Sequence, residues 1–340
     1  MTTARLDLTR EQILTFRQSV NAIRERLPPG LTSLRRAAWA GLQDSMPRAA
    51  VLSIHARVQG TGPDTWEEQS LVQLWGPRFN AYVVPARDLA VFSLGRLPDN
   101  VERRRAAEDL ASRLDAFLDG RTMTYGEAGR GLGEHPNQLR YAAPTGRVLI
   151  RWDGVRQPTV WTVPPPDVDP HDARLELARR YLHVFGPATP ATFAGWAGLG
   201  PADGRAAFDA LVRSLTPVRT PVDDAWILTR DEPTFRAPGG PAAAARLLPS
   251  GDAYFLLQGA DRELLVPDAD SRRELWTPRV WPGAVLVGGD IVGTWRRAQA
   301  EVTIASWRRL SRLEREVVEA EAVSMPLSRI GQPVRVRWDH

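Results

Sequence analysis

Apolar residues recur along this chain at helical spacing, and short alternating stretches interrupt them at intervals. Ile13, Phe16, Val20 and Ile23 fall on one helical face. Thr9, with Gln12 three residues on, writes a capping box at its start, and Leu27-Pro28-Pro29-Gly30 stops it. Leu34, Ala37, Ala38 and Leu42 predict a second helix over 32–43 that runs into Pro47, which disfavours helix at the residue before it. A third helix is predicted from near Arg48, carrying Ala50, Leu52, Ile54 and His55. Residues 70–85 then read as two strands around Gly76-Pro77.

The same order returns twice. An arginine-rich amphipathic helix over 101–118, short helices over 124–133 and 135–143, and strands 148–152 and 159–163 around Asp153-Gly154 make a second set. After the proline-rich stretch 164–170, Leu175, Ala178, Tyr181, Leu182 and Phe185 open a third. Phe193 and Trp196 mark its second helix, Ala207, Leu211 and Leu215 its third, and strands 218–220 and 226–229 close it. Residues 231–250 are loose and rich in Pro, Gly and Ala. Strands are predicted at 253–257, 285–287, 291–296 and 301–307, then a helix over 309–323 and an edge strand over 334–338. The pattern predicts an α+β protein: three tandem winged helix-turn-helix units over 1–98, 99–166 and 167–235, and a β-rich C-terminal domain over 236–340.

Composition narrows the chemistry mainly by what it lacks. With no cysteine among 340 residues, disulfides, thiolate nucleophiles and cysteine-bound zinc are excluded. All 44 basic residues are arginine, so a Schiff-base lysine, a P-loop lysine and a kinase lysine are excluded too. The five histidines show no metal-ligand spacing, and neither a G-x-S-x-G elbow nor a dinucleotide glycine fingerprint occurs. No metal and no cofactor are expected. The net charge is only +4, so an electrostatic grip on nucleic acid has to be local. Arg140, Arg147, Arg151 and Arg156 form one basic cluster, and Arg296 and Arg297 belong to a second over 272–309. These six are the candidate duplex contacts. Most of the tryptophans fall in strand patterns and are expected in the core. No apolar signal core or membrane-length run appears, which predicts a soluble, cytoplasmic protein.

Within this frame, Gln43-Asp44-Ser45 places an amide, a carboxylate and a hydroxyl side by side at the end of an apolar stretch. Such groups either cap backbone or hold a reacting water. Asp44 in particular fits a helix cap or a partner of Arg35, Arg36 or Arg48 as well as it fits a base.

Several motifs lie in a recognisable order. They are Gly41-Leu42-Gln43-Asp44-Ser45-Met46-Pro47, Leu71-Val-Gln-Leu-Trp75-Gly-Pro-Arg78 with Tyr82-Val-Val-Pro85, and Tyr181-Leu-His-Val-Phe-Gly186-Pro-Ala-Thr189. Leu248-Pro-Ser-Gly-Asp252-Ala-Tyr254 with Asp261-Arg262, and Gly289-Asp-Ile-Val-Gly293-Thr-Trp295-Arg296, follow. With these motifs the chain resembles the winged-helix DNA glycosylases of the AlkZ type, the group that includes the azinomycin-crosslink resistance enzymes. The resemblance spans nearly the whole chain. It implies tandem winged helices in a C-shape around duplex DNA and hydrolysis of the N-glycosidic bond of alkylated purines, N7-linked crosslinks included. The family's catalytic motif, Gln-x-Gln or Gln-x-Asp after Gly-Leu, places its first member on Gln43. Its third falls on Ser45, a serine where the family carries Gln or Asp. The catalytic candidates are therefore Gln43, Asp44 and Ser45, with Arg78 near the site or a phosphate. The expected partner is double-stranded DNA, without a membrane, for a monomer. Without lysine the glycosylase would be monofunctional. The alternative is a DNA-binding regulator or lesion sensor without catalysis.

Overall fold

The computed structural model describes residues 5–44, 46, 48–154, 156–327 and 334–339. It opens with β1 (Leu6–Asp7) and α1 (Arg10–Val20). The expected capping box is formed: Gln12 N–H donates to the Thr9 hydroxyl at 3.2 Å, and Thr9 N–H donates to Gln12 Oε1 at 2.9 Å. This opening segment packs far along the chain. Leu6 pairs in parallel with Val218, and Ile13 and Phe16 share a core with Val218, Ile227 and Phe235. Periodicity gives a helix its buried face but not its partner, so the first three helices did not announce that the leading one sits with residues 218–264.

Next come α2 (Leu31–Ala37), β2 (Leu42–Gln43), α3 (Ala49–His55), β3 (Leu71–Trp75) and β4 (Ala81–Pro85). Their strands form one antiparallel sheet in the order β2-β4-β3. The helix expected over 32–43 stops at Ala37. Gly41 has φ +74°, and a Cβ there would lie 2.9 Å from the Tyr82 ring and 3.0 Å from Phe92. The chain therefore turns, and Leu42 and Gln43 pair with Val83 and Tyr82. Leu42 still joins the core of Leu34 and Ala38, now from a strand, which is why the apolar spacing reads as helical.

After α4 (Leu89–Phe92) the second set runs α5 (Val101–Leu118), β5 (Met123–Thr124), α6 (Tyr125–Gly131), a 3-10 run over Pro136–Thr145, β6 (Val148–Arg151) and β7 (Thr159–Thr162). The sheet order β5-β7-β6 repeats the first. Asp153-Gly154 opens a loop over 152–158 and does not form a two-residue turn. The third set has α7 (Pro170–Phe185), α8 (Pro190–Ala197), α9 (Pro201–Leu211), β8 (Leu215–Arg219) and β9 (Asp224–Leu228). Ala188 bridges Trp226 on β9, in the place of a short first strand, and β1 covers the other edge of β8.

Following α10 (Glu232–Arg236), the last part holds β10 (Ala245–Leu248), α11 (Asp261–Leu265), α12 (Ala269–Leu275), β11 (Gly283–Val287), β12 (Asp290–Ala298), β13 (Glu301–Ser306), α13 (Arg312–Val323) and β14 (Arg335–Asp339). The five strands follow sequence order, with β14 a parallel edge as the alternating tail predicts. The strand expected at 253–257 is a 3-10 turn over Ala253–Phe255, because Asp252 caps it by accepting from Tyr254 N–H at 2.9 Å. The fold is a mixed α+β one. A single core joins its parts: Leu74 and Tyr82, Tyr181 and Trp196, and Tyr254 and Phe255 belong to one cluster. Among the described residues no helix is long and apolar enough to cross a membrane.

Candidate active site

Gln43 ends β2, opposite Tyr82 on β4. Successive strand residues point to opposite faces. Leu42 and Asp44 turn into the core, and Gln43 emerges half-buried on the other side. Arg78 Nη2 donates to Gln43 Oε1 at 3.1 Å, and the Tyr82 hydroxyl stands 3.4 Å from the same oxygen. On the amide's nitrogen side, a Cβ at Gly251 would approach Nε2 to 2.9 Å. Gly251 has φ +77°, so only glycine lets this loop lie so close to the carboxamide. The amide is thus oriented by a cation on its oxygen and by bare backbone beside its nitrogen.

The loop that brings Arg78 is held in an unusual shape. Arg78 and Phe79 both have positive φ, 55° and 58°. Three supports fix them. Gly76 lies under Tyr82, where a Cβ would meet the ring at 2.8 Å. Gly198, at the C-terminus of α8, leaves room for the Arg78 backbone, which a Cβ would approach to 3.1 Å. Arg96 donates to the Ala197 and Trp75 carbonyls at 2.9 Å each and lies 5.0 Å from the Phe79 ring centroid. Burial lowers the Arg96 pKa to about 9, with Tyr82 opposing. Burial likewise raises the Tyr82 hydroxyl, against the lowering effect of Arg78. Tyr82 therefore remains a donor at neutral pH.

The loop carrying Gly251 is tied to the opposite end of the sequence. Arg57 donates twice to Asp252, Nη1 to Oδ2 and Nη2 to Oδ1, at 2.7 Å each. Ser53 Oγ donates to Oδ2 at 2.6 Å. Both charged side chains are at most 1% exposed. A bidentate pair so deeply buried fixes geometry as much as it supplies energy. It locks residues 249–252 against α3 and hence against Gln43. Arg262, on α11, also faces this region: Arg78 lowers its pKa through space, second to burial. Tyr82, Gly251 and Arg262 lie within motifs legible in the sequence, but the sequence alone assigns them no role. Their nearness to Gln43 depends on pairing and packing that spacing does not encode.

Asp44, a candidate beside Gln43, does different work. It is 3% exposed, and both its oxygens are engaged. Ala50 N–H, in the first turn of α3, donates to Oδ1 at 3.0 Å, and Gln73 Nε2 donates to Oδ2 at 2.8 Å. Gln73 Oε1 in turn accepts from Trp152 N–H at 2.6 Å. Burial pushes the carboxyl up to about 7, against the Ala50 N–H, Arg48 and Gln73. The structure therefore shows Asp44 capping α3, on the face of β2 opposite Gln43. Ser45, the third candidate, lies outside the described residues. His55, the other group that chemistry at Ser45 could recruit, stands with Arg26 Nη2 at 3.3 Å and Ser324 Oγ at 3.1 Å. Burial lowers its pKa to about 4, helped by Arg26 and Arg246.

The candidate DNA arginines separate into two groups. Arg147 is committed to Asp115 at 2.8 Å and Ser112 at 3.0 Å. Arg151 lies over Trp66, 3.9 Å from its ring centroid, and reaches Glu67 at 3.4 Å. Arg140 lies 5.4 Å from the Tyr141 ring centroid without an ion pair among the described residues. Arg156 is exposed between β6 and β7. Arg296 and Arg297 emerge at the end of β12 and line a groove of about 280 Å³ with Met46, Ser250 and Trp281. That groove begins one residue from Gly251, so these arginines flank the Gln43 site.

A sequence model of the family described as DNA glycosylase AlkZ-like matches residues 36–325. The chain belongs to the AlkZ-like DNA glycosylase family. It is accordingly a DNA repair glycosylase, an enzyme that hydrolyses N-glycosidic bonds. An interstrand DNA cross-link repair glycosylase of Streptomyces sahachiroi is 26% identical over 267 residues, covering 68% of this chain and 69% of that protein. The solved DNA glycosylase AlkZ of the same organism shares the fold with a TM-score of 0.75 at 19% identity, over 98% of this chain and 100% of that one. The match to this family begins at Arg36, just ahead of the glycosylase's Gln43 strand.

Proposed function

We propose that this glycosylase releases N7-alkylated purines from duplex DNA, as a monofunctional enzyme, with Gln43 orienting the attacking water. The observation that carries this reading is the Gln43 carboxamide, pinned by Arg78 at 3.1 Å and flanked by Gly251. An N7-alkylated purine is cationic before any reaction and leaves as a neutral base, so no acid is needed. A neutral amide suffices to hold water, provided that it is held rigidly itself. The positive charge that develops on the sugar meets the DNA's own phosphates, which Arg78, Arg262, Arg296 and Arg297 are placed to position. Asp44 supports the strand and takes no proton from water. Absence of lysine leaves no side chain for a β-lyase step.

The three sets of helices and hairpins serve as tandem winged helix-turn-helix units that clasp the duplex. Their support is the repeated strand order, β2-β4-β3 and β5-β7-β6, in which the short first strand lies beside the last. The Streptomyces sahachiroi relative is named for interstrand cross-link repair, and the same chemistry at an N7-linked crosslink would unhook it. We read the protein as a cytoplasmic monomer.

The test is release of free base from an N7-methylguanine duplex and from bulkier N7 adducts. Release is expected, with intact strands until the abasic site is cleaved chemically. Gln43→Ala is expected to slow it by about 100- to 1000-fold, the usual cost of losing one preorganised polar group. Duplex binding with no release from any adduct would overturn this substrate assignment, and would leave Ser45 as the substitution to reverse first.

A further inference from the structure

A second site lies behind α7. Tyr181 and His183 are two residues apart, about 200° around the helix. Tyr181 packs on Trp196, 5.1 Å between ring centroids, on the side of Tyr82 and Arg78. His183 faces the opposite way and lines a cavity of about 290 Å³ with Arg35, Arg36, Trp39 and Arg87. No carboxylate is in that wall. Among the described residues Arg35 and Arg36 have no ion-pair partner. Arg87 comes no closer than 3.9 Å to Asp88, whose carboxylate is already held by Arg180 at 2.8 Å. His183 Nδ1 is anchored to Asp231 at 2.9 Å.

The floor of this cavity is equally specific. The Arg180 guanidinium lies 4.1 Å from the Trp39 ring centroid, itself fixed by Asp88 and Glu176. One face of the indole is therefore occupied, while Trp39 remains half-buried at the cavity wall. Two arginines without an ion pair among the described residues, and a third held only loosely by Asp88, ask for a phosphate, since guanidinium forks match its oxygens. A half-buried indole asks for a flat π-system, as bases find on aromatic platforms. The volume lies at the small end of ligand pockets, which run from about 300 to 1,000 Å³.

We propose that this cavity binds a single nucleotide, its phosphate among Arg35, Arg36 and Arg87 and its base against Trp39, apart from the Gln43 site. The nucleotide belongs either to the bound DNA or to the free pool, and kinetics distinguish the two. Titration of the full-length protein with deoxyadenosine 5′-monophosphate, followed by calorimetry, should saturate. Inorganic phosphate should bind about tenfold more weakly, having nothing to stack. The double variant Arg36→Glu, Arg87→Glu alters two solvent-facing side chains. It should lose about tenfold or more in nucleotide affinity at unchanged melting temperature. On lesion duplex its kcat should match the parent. A raised KM then identifies the nucleotide as part of the DNA, and an unchanged KM as a free one. Four results would overturn the proposal: no saturable nucleotide binding, phosphate binding as tightly as the nucleotide, a phosphoserine peptide binding more tightly than either, or no loss in the double variant. A fall in kcat would overturn the separation from the Gln43 site.

Discussion

The hairpin loops of the first two sheets have the same place in a repeated topology and opposite surroundings. In the first, residues 76–80 are closed in by Tyr82, Gly198 and Arg96, and Arg78 points at the Gln43 carboxamide. In the second, Trp152 is held on Gln73 and Arg151 on Trp66, and Arg156 stays exposed. What a hairpin does is decided here by what packs over it. The first is folded into the protein's interior beside Gln43, and the second is left open to solvent.

Stability should show the contrast most strongly. Asp252→Ala strips the buried Arg57 that holds the Gly251 loop beside the first hairpin, and should cost about 3–5 kcal/mol in chemical denaturation. Arg156→Ala, an exposed side chain of the second loop, should change it by no more than about 0.5 kcal/mol. Equal losses would break the comparison.

Proton linkage should come next. Asp44 has its folded pKa raised to about 7 from 3.8, so its ionisation removes stability as pH rises from about 4 to 7. His55 has its folded pKa lowered to about 4 from 6.5, so stability is lost as pH falls from about 6.5 to 4. The two slopes oppose each other, and between pH 4 and 6.5 the parent's melting temperature should vary little on their account. In His55→Gln the Asp44 slope should stand alone, with melting temperature falling as pH rises towards 7. A rising curve in that variant would show that burial does not hold the Asp44 carboxyl up to about 7.

Kinetics should then divide the loops. Arg78→Ala removes a charge-assisted bond worth about 1.5–3 kcal/mol, and single-turnover base release should fall about 10- to 100-fold with duplex affinity changed less. Arg156→Ala should do the reverse: kcat holds, KM rises, and the log–log salt slope of duplex binding flattens by about 0.9, one phosphate's share. An Arg156 variant that loses kcat and keeps its KM would show both loops serving the reaction.

Much of this frame is legible from sequence where the signal is local. The helix over 101–118 has its boundaries in the apolar pattern, and the Thr9–Gln12 box sits in four consecutive residues. The site is legible only in part. Gln43 is found by its place after Gly-Leu, but its strand is hidden because a two-residue strand has no period, and Gly41 alone marks the turn. Asp44 is ambiguous in sequence because capping and catalysis use the same carboxylate, and only the direction of its side chain separates them. Arg147 reads as a DNA contact until Asp115, 32 residues earlier, is seen beside it. Pairings across such distances leave no trace in composition or spacing.

The Arg57–Asp252 pair spans 195 residues of chain. A nascent polypeptide leaving the ribosome carries Gln43 and Arg78 long before it carries Gly251 and Asp252. Until the last of these emerges, the loop beside Gln43 does not exist, and the strand bearing it, though paired with β4, lacks that cover. The surroundings of Gln43 can thus be completed only late in synthesis, and contacts of such long range also close slowly.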